Sequence, residues 1–586
     1  MAIGYTWLPL PHTRTPLLPT LENYAKAIEH FRRAEELRAM HAVRTGISRG
    51  QGGGLKIFEA KRRVIDADRG MFDIRELITF ACVGGYFCSA SGVEEEGAIE
   101  FAFDFARDLW EVTQDTKARG LIETLAMGST FPSSALDVIE KSPNLKILVE
   151  EEASLLREAH SEQTKNTLFL WQQIDALRVR MKEDETLRHL LQVREGKGAF
   201  YDDVELLQTY SPRRIVFADW VLDKKAILLV ILAGNLVFLY PVGLTIQDVV
   251  DWKTTHLKTQ YLKTRIGEAR LQILKPLIAP LLTHCEPDDL LVLCPTGPLH
   301  GLPLHAIPVE SKKVLIERNP ITYTPSIAIL RHCLNGLILH RGRKTQTQEN
   351  DDRTPDSGPD VSFPPEKCWK ATIMSCYESD NPDNNSSEVQ KVHDHIDELS
   401  QSFNTKPTSG SSLTVITFSD QVVGAHLIHF HGHATFNAND ILSQALVLAD
   451  GHGPDAESHE RNMTVPKIFE LKLSAPHVCN IACDSGRQDV GHGDETLGIT
   501  SAFLYAGASS VLGTLWPISS ASGRAFSEKF YDNLRNRVSG PVDLAVALQQ
   551  TVSAIRRDPK TSELYHWAGF VLYGLWFCPP VVCTDV

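Results

Sequence analysis

The sequence predicts an α/β protein, built on a mostly parallel sheet and preceded by an all-α segment. Three observations lead there. Short apolar runs bounded by Gly or polar residues recur in the second half, at 425–434, 476–483 and 509–516, and read as buried strands. A helix-like stretch at 496–507 separates the last two, and strand–helix–strand succession implies parallel pairing. Residues 20–200, by contrast, carry apolar residues only at three- and four-residue steps.

Taken in order, the helical part shows Ala27, Ile28, Phe31, Ala34 and Leu37 on one face, a break at the glycines of 50–54, and a resumed pattern over 57–71. Phe101, Phe105, Leu109 and Val112 mark another amphipathic helix, and 155–191 reads as a helical hairpin. Paired helices of this size suggest tetratricopeptide-like stacking for residues 1–200, although no 34-residue repeat is visible. Residues 201–287 form a connecting region. Its 226–244 stretch is 19 residues without a charge, long enough to raise a membrane span, but Gly234-Asn235 at its centre predicts a β-hairpin. Helical patterning fills 248–282. The second domain, 288–586, opens with a strand at 290–294 and a Pro- and Gly-rich loop at 295–304. A charged and polar insertion at 341–365 is expected to be disordered. Strands are expected at 369–376 and 413–417 and helices at 387–402, 526–535 and 542–555, with 567–574 closing the sheet.

Composition excludes several classes. The chain has 586 residues, 43% hydrophobic and 23% charged, as expected of a soluble multidomain protein. A formal charge of −14 argues against a nucleic-acid binder held by phosphate contacts. The 11 cysteines are odd in number with no Cys-x-x-Cys pair, which points to a reducing, cytoplasmic setting without disulfides. Residues 1–18 hold three prolines and no secretory pattern.

The chemistry gathers at two strand ends. A catalytic thiol needs a base or a positive field beside it. Cys483 ends one run ahead of Asp484-Ser485-Gly486, and His433 ends another 50 residues upstream, the His-to-Cys spacing of caspases. Parallel sheets meet ligands at the carboxyl ends of their strands. Cys479, mid-strand, reads as inert packing, and His426 and His429 as core histidines. Asp494 and Glu495 either line a pocket for a basic side chain or favour the following helix N-terminus, and Trp516 is core or pocket wall. Alternation of His429, His431 and His433 raises zinc, but no further ligand stands at motif spacing.

The strings His429-Phe-His-Gly-His-Ala434, Asn480-Ile-Ala-Cys-Asp-Ser-Gly486, Gly493-Asp-Glu495, Gly513-Thr-Leu-Trp516 and Tyr565-His-Trp-Ala-Gly-Phe570 resemble the CHAT family. Pro295-Thr-Gly-Pro-Leu-His300 and Tyr323-Thr-Pro-Ser326 resemble the opening of the same domain, so the likeness spans about 288–576. The resemblance implies a caspase-like α/β/α sandwich, distantly separase-like, and a cysteine peptidase with a His–Cys dyad. Carried over by motif, Cys483 is the nucleophile, His433 the base, and the N–H groups of Cys483 and Ala434 the oxyanion hole. Asp484, Asp494, Glu495 and Trp516 are the candidate substrate-pocket residues. The family's Gly after the dyad histidine is Ala434 here, which keeps His431, the one preceding Gly432, in reserve. The expected protein is a cytoplasmic endopeptidase of protein substrates, without metal or cofactor, regulated by a partner that engages the N-terminal helices. The alternatives are an inert caspase-like scaffold and a metal-dependent hydrolase.

Overall fold

The computed structural model describes residues 201–341, 370–377, 386–449, 461–490, 496–535 and 542–578 almost without a break. Before them it describes helical pieces at 25–30, 98–117, 139–159 and 167–184 and a few isolated residues. The expectations for 1–18, 50–54, 57–71 and the insertion beyond Arg341, as well as Asp494 and Glu495, lie outside the described residues.

The second half is organised by one sheet. Its strands are β1 (Ile215–Asp223), β2 (Ala226–Ala233), β3 (Leu236–Thr245), β4 (Leu290–Cys294), β5 (Ile321–Tyr323), β6 (Ala371–Cys376), β7 (Thr408–Ser409), β8 (Leu427–Gly432), β9 (His477–Ile481), β10 (Ser510–Thr514) and β11 (Phe570–Gly574). Their spatial order is β3-β2-β1-β4-β5-β11-β10-β9-β8-β6-β7. The pairs β1–β4, β4–β5, β5–β11, β10–β9, β9–β8, β8–β6 and β6–β7 are parallel. Only β10–β11 and the β1–β2–β3 meander are antiparallel. The sheet is therefore two parallel blocks of opposite direction, welded at β10–β11. The last of its strands in the chain, expected to close the sheet, does so from the middle, between β5 and β10.

Local chemistry explains the strands. All five residues of β4, β9, β10 and β11 are buried, as strands covered on both faces require, so none of them alternates polar with apolar residues as a half-exposed strand would. The uncharged 226–244 stretch is a hairpin turning at Gly234, whose φ of +61° suits glycine. Among the described residues no helix is long and apolar enough to cross a membrane.

After β3 the chain forms α5 (Ile246–His256), and after β5 it forms α6 (Ile327–Arg341). Helices cover both faces around β8. On one side α7 (Ser386–Ser402) and α10 (Ser520–Arg535) meet the sheet, where Tyr531 hydrogen-bonds His429 at 2.9 Å and His395 hydrogen-bonds Ser527 at 2.8 Å. On the other, α8 (Val415–Val422) brings Phe418 to Phe430, ring centroids 6.4 Å apart. The strand expected at 413–417 is the start of α8. Thr414 caps it, accepting from the Thr417 N–H at 3.2 Å, and Val415, Phe418 and Val422 face inward at helical spacing while Ile416 is 74% exposed.

The helical part divides. The expected amphipathic helix is α1 (Ala98–Thr116), and Phe105, Leu109, Trp110 and Val112 join the core of the sheet, as do Val204 and Leu207 of α4 (Tyr201–Thr209). The expected hairpin begins earlier than its pattern suggested. It consists of α2 (Pro143–Ala159) and α3 (Thr167–Met181), whose Val149, Leu177 and Met181 share a separate small core. Just past α1, buried Lys117 forms an ion pair with buried Asp219 of β1 and donates to the Cys294 carbonyl at 2.8 Å. Gln114 donates to the same Asp219 carboxylate and accepts from the Ile327 N–H at 2.8 Å. This helix is a structural member of the sheet domain. Lys117→Met is expected to strand the Asp219 carboxylate and to lower stability by about 3–5 kcal/mol, read from a urea denaturation midpoint.

Candidate active site

The adjacent parallel strands β6, β8 and β9 fix the site by their register. Ser375, His431 and Ile481 stand opposite one another across the three strands. Two residues further along each chain, past the strand ends, come Tyr377, His433 and Cys483. The close approach that aligns β6 with β8 requires Gly432, because a Cβ there would stand 2.9 Å from the Cys376 carbonyl oxygen and 2.9 Å from the Phe430 ring. His433 is half-buried, with its ring edge-on to Tyr377 at 4.9 Å and 67°. Cys483 is also half-buried, and its Sγ–H donates to the Ile518 carbonyl at 3.6 Å.

The turn that carries Cys483 is pinned from several sides. Gly486 and Gly513 lie so close that a Cβ on Gly513 would be 2.8 Å from the Gly486 nitrogen, and the Gly486 N–H donates to the Thr514 carbonyl at 2.9 Å. Ser485 Oγ donates to the Asn480 carbonyl and accepts from the Thr514 N–H, both at 3.1 Å, while Thr514 Oγ1 donates to the Ala482 carbonyl at 2.6 Å. Asp484 adopts φ +52°, a conformation most side chains avoid, directly after the thiol. Its carboxylate lies 3.6 Å from the Arg487 guanidinium, which in turn lies 4.0 Å over the Phe436 ring.

Burial pushes the Cys483 thiol above its ordinary range, and the neighbouring Asp484 charge adds to that shift. The resting group is a neutral thiol, so it needs a base to react. The backbone N–H of Cys483 lies within reach of its own sulfur. Ala434 sits in the short strand Ala434–Thr435, paired with Leu446 and without positive φ, a conformation alanine tolerates.

The other histidines have other surroundings. His431 is fully buried in β8 beneath α10, and neither ring nitrogen has a hydrogen-bond partner among the described residues. Burial holds it well below the usual histidine range, with His395, Arg524 and His433 pushing the same way. His429 is a buried partner of Tyr531, and His426 accepts from the Lys370 N–H at the opposite end of β8. Cys479 is buried mid-strand, where burial pushes its thiol up to about 12. Trp516 is buried against Gly569 and donates to the Tyr565 carbonyl at 3.3 Å. β8 ends at Gly432, so His433 stands just past the strand that carries His429 and His431. Among the described residues no three His, Cys, Asp or Glu side chains are grouped to hold a metal ion.

Two residues carried no warning in the sequence. Tyr377 follows an apolar run, and only the question of what succeeds each strand end would have singled it out. Gln444 lies in a loop without any pattern. It is fully buried, donates to the carbonyls of Asp484 at 3.0 Å and Arg487 at 3.3 Å, and accepts from the Ile499 N–H at 3.0 Å. It thereby ties the Cys483 turn to α9 (Ile499–Tyr505). Gln444→Leu is expected to cost about 2–4 kcal/mol in urea denaturation and to speed amide exchange at 484–487. Unchanged exchange there would show that the turn holds without it.

A family model, the CHAT domain, matches residues 269–575. The chain is 30% identical over 129 residues to human Tetratricopeptide repeat protein 28, covering 20% of this chain and 5% of that protein. To the mouse protein of the same name it is 26% identical over 203 residues, covering 30% and 8%. The matches thus span less than a tenth of those relatives' length. Among solved structures, it is similar to the Saccharomyces cerevisiae separase–securin complex at 12% identity, TM-score 0.41, covering 89% of this chain and 40% of that one. Similarity to the complex of Porphyromonas gingivalis RgpB pro- and mature domains is 13% in identity, TM-score 0.34, covering 58% and 76%. Since the domain match takes in more than half of the 586 residues, including every strand from β4 to β11 and both strand ends of the site, the chain belongs to the CHAT domain family.

Proposed function

We propose that the protein is a cysteine endopeptidase of caspase-like fold, acting on protein substrates through His433 and Cys483. One observation carries this reading: the shared register of β8 and β9, which brings a histidine and a half-exposed thiol to neighbouring strand ends. His433 removes the proton from Sγ as the sulfur attacks the peptide carbonyl carbon. The N–H groups of Cys483 and Ala434 receive the oxyanion. The protonated His433 then gives its proton to the departing amine, leaving an acyl-thioester. Water, deprotonated by His433, attacks that ester, and the proton returns to Sγ as the acid leaves. Asp484, beside the thiol and facing Arg487, borders the pocket for the residue preceding the cleaved bond.

The inert-scaffold reading has one observation in its favour, the upward shift of the Cys483 thiol by burial. An activity-based thiol probe separates the two, since a working site labels Cys483 in preference to the other described cysteines, all of them buried. The N-terminal helices would serve either reading as the surface for a protein partner.

Cys483→Ala is expected to abolish peptide cleavage with the denaturation midpoint retained. His433→Ala should lower kcat by about a hundredfold or more, whereas His431→Ala should lower it far less. Collapse with His431→Ala and survival with His433→Ala would move the base. The raised thiol also sets a pH dependence. Its thiolate fraction, and with it the rate of alkylation by iodoacetamide in the His433→Ala variant, should still be climbing at alkaline pH. A plateau already reached at neutral pH would mean a low-pKa thiolate instead.

A further inference from the structure

Tyr377 stands in the same row as His433 and Cys483, and it has more contacts there than core packing alone would supply. Its ring lies 4.9 Å edge-on from His433 and 5.9 Å from His431, so it borders the half-buried imidazole and the fully buried one together. Its position is over-determined. The side chain is buried, the strand before it is aligned with β8 through the Gly432 contact, and its hydroxyl lies within reach of the Ser520 side chain. Ser520 opens α10 two residues after Ile518, whose carbonyl receives the Cys483 Sγ–H. One short segment, 518–520, therefore anchors the thiol through a carbonyl and the phenol through a hydroxyl. The charge that a Cys483 thiolate would carry is felt at the phenol, which burial pushes up to about 12, so the tyrosine stays neutral throughout the working pH range. A neutral, immobile ring edge-on to an imidazole restricts the rotation of that imidazole without competing for its proton.

We infer that Tyr377 is the positioning residue of the site, a fixed ring wall that holds the His433 imidazole in line with Cys483. This rests on the His433–Cys483 reading above. The ring, not the hydroxyl, performs the role, since the hydroxyl serves Ser520.

The test is a double-mutant cycle on the full chain, read as the second-order rate of Cys483 alkylation by iodoacetamide at neutral pH and as kcat on a peptide. Wild type, His433→Ala, Tyr377→Leu, Tyr377→Phe and the Tyr377→Leu/His433→Ala double variant are compared, with Tyr377→Met replacing leucine if that variant does not fold. Tyr377→Leu is expected to lose about tenfold or more in both rates with KM little changed. Tyr377→Phe should stay within about twofold of wild type, and the double variant should be no slower than His433→Ala alone. An equal loss in Tyr377→Phe, or a Tyr377→Leu loss that adds in full to that of His433→Ala, overturns the inference while leaving the dyad standing. Alkylation and turnover that do not change in His433→Ala overturn the dyad reading itself, and this inference with it.

Discussion

The site depends on a single constraint, the parallel pairing of β6, β8 and β9. In parallel strands the hydrogen bonds are evenly spaced and neighbouring residues advance together, so residues that follow the strand ends arrive in a row. Tyr377, His433 and Cys483 form such a row because Ser375, His431 and Ile481 are already opposite one another two residues earlier. A one-residue slip of β8 would exchange its faces. His429 and His431 would then leave the pocket under α7 and α10, and Phe430 would enter it. The fully buried histidines of β8 and the half-buried one after it are thus two consequences of one register.

The carboxyl ends of the strands also need a rigid surface on which to stand. Around Cys483 it is made from backbone contacts too close for side chains, at Gly486 and Gly513, and from polar side chains spent on backbone groups, at Ser485, Thr514 and Gln444. Such groups must be paired when buried, and here their pairing fixes the positive φ of Asp484. The thiol itself is left with a carbonyl at 3.6 Å and incomplete burial. A turn held at every point except its sulfur suits a reactive group: geometry is fixed while the reacting atom stays reachable.

The helical part and the sheet are not two independent bodies along the sequence. Lys117 and Gln114 meet Asp219 midway along β1, Lys117 also reaches the last carbonyl of β4, and α1 and α4 pack into the sheet's own core. A buried lysine is tolerated only when its charge is met, and Asp219 with two backbone carbonyls meets it. Among the described residues, the hairpin of α2 and α3 has a core of its own, separate from that of the sheet. The proposed regulation through helices would therefore have two routes of different character. A partner at α2 and α3 would act from outside, while a displacement of α1 would act on the sheet itself.

The sequence by itself determined the periodicities and the strand ends. Apolar runs of four to six residues between Gly and polar residues are legible because strands covered on both faces need no polar alternation. For the same reason Cys483 and His433 were legible as the residues that follow two such runs, and the Gly234-Asn235 turn as a hairpin. Tertiary structure alone decided what depends on partners distant in the chain. It set β11 in the middle of the sheet, since a last strand carries no mark of its neighbours. It turned 413–417 into the start of a helix, because Thr414 can cap and Phe418 has Phe430 to meet. It brought Tyr377 into the row with His433 and Gln444 under the Cys483 turn, across separations of 56 and 40 residues that no local pattern spans. Local pattern reports which face of an element is apolar, whereas register and packing choose what that face touches.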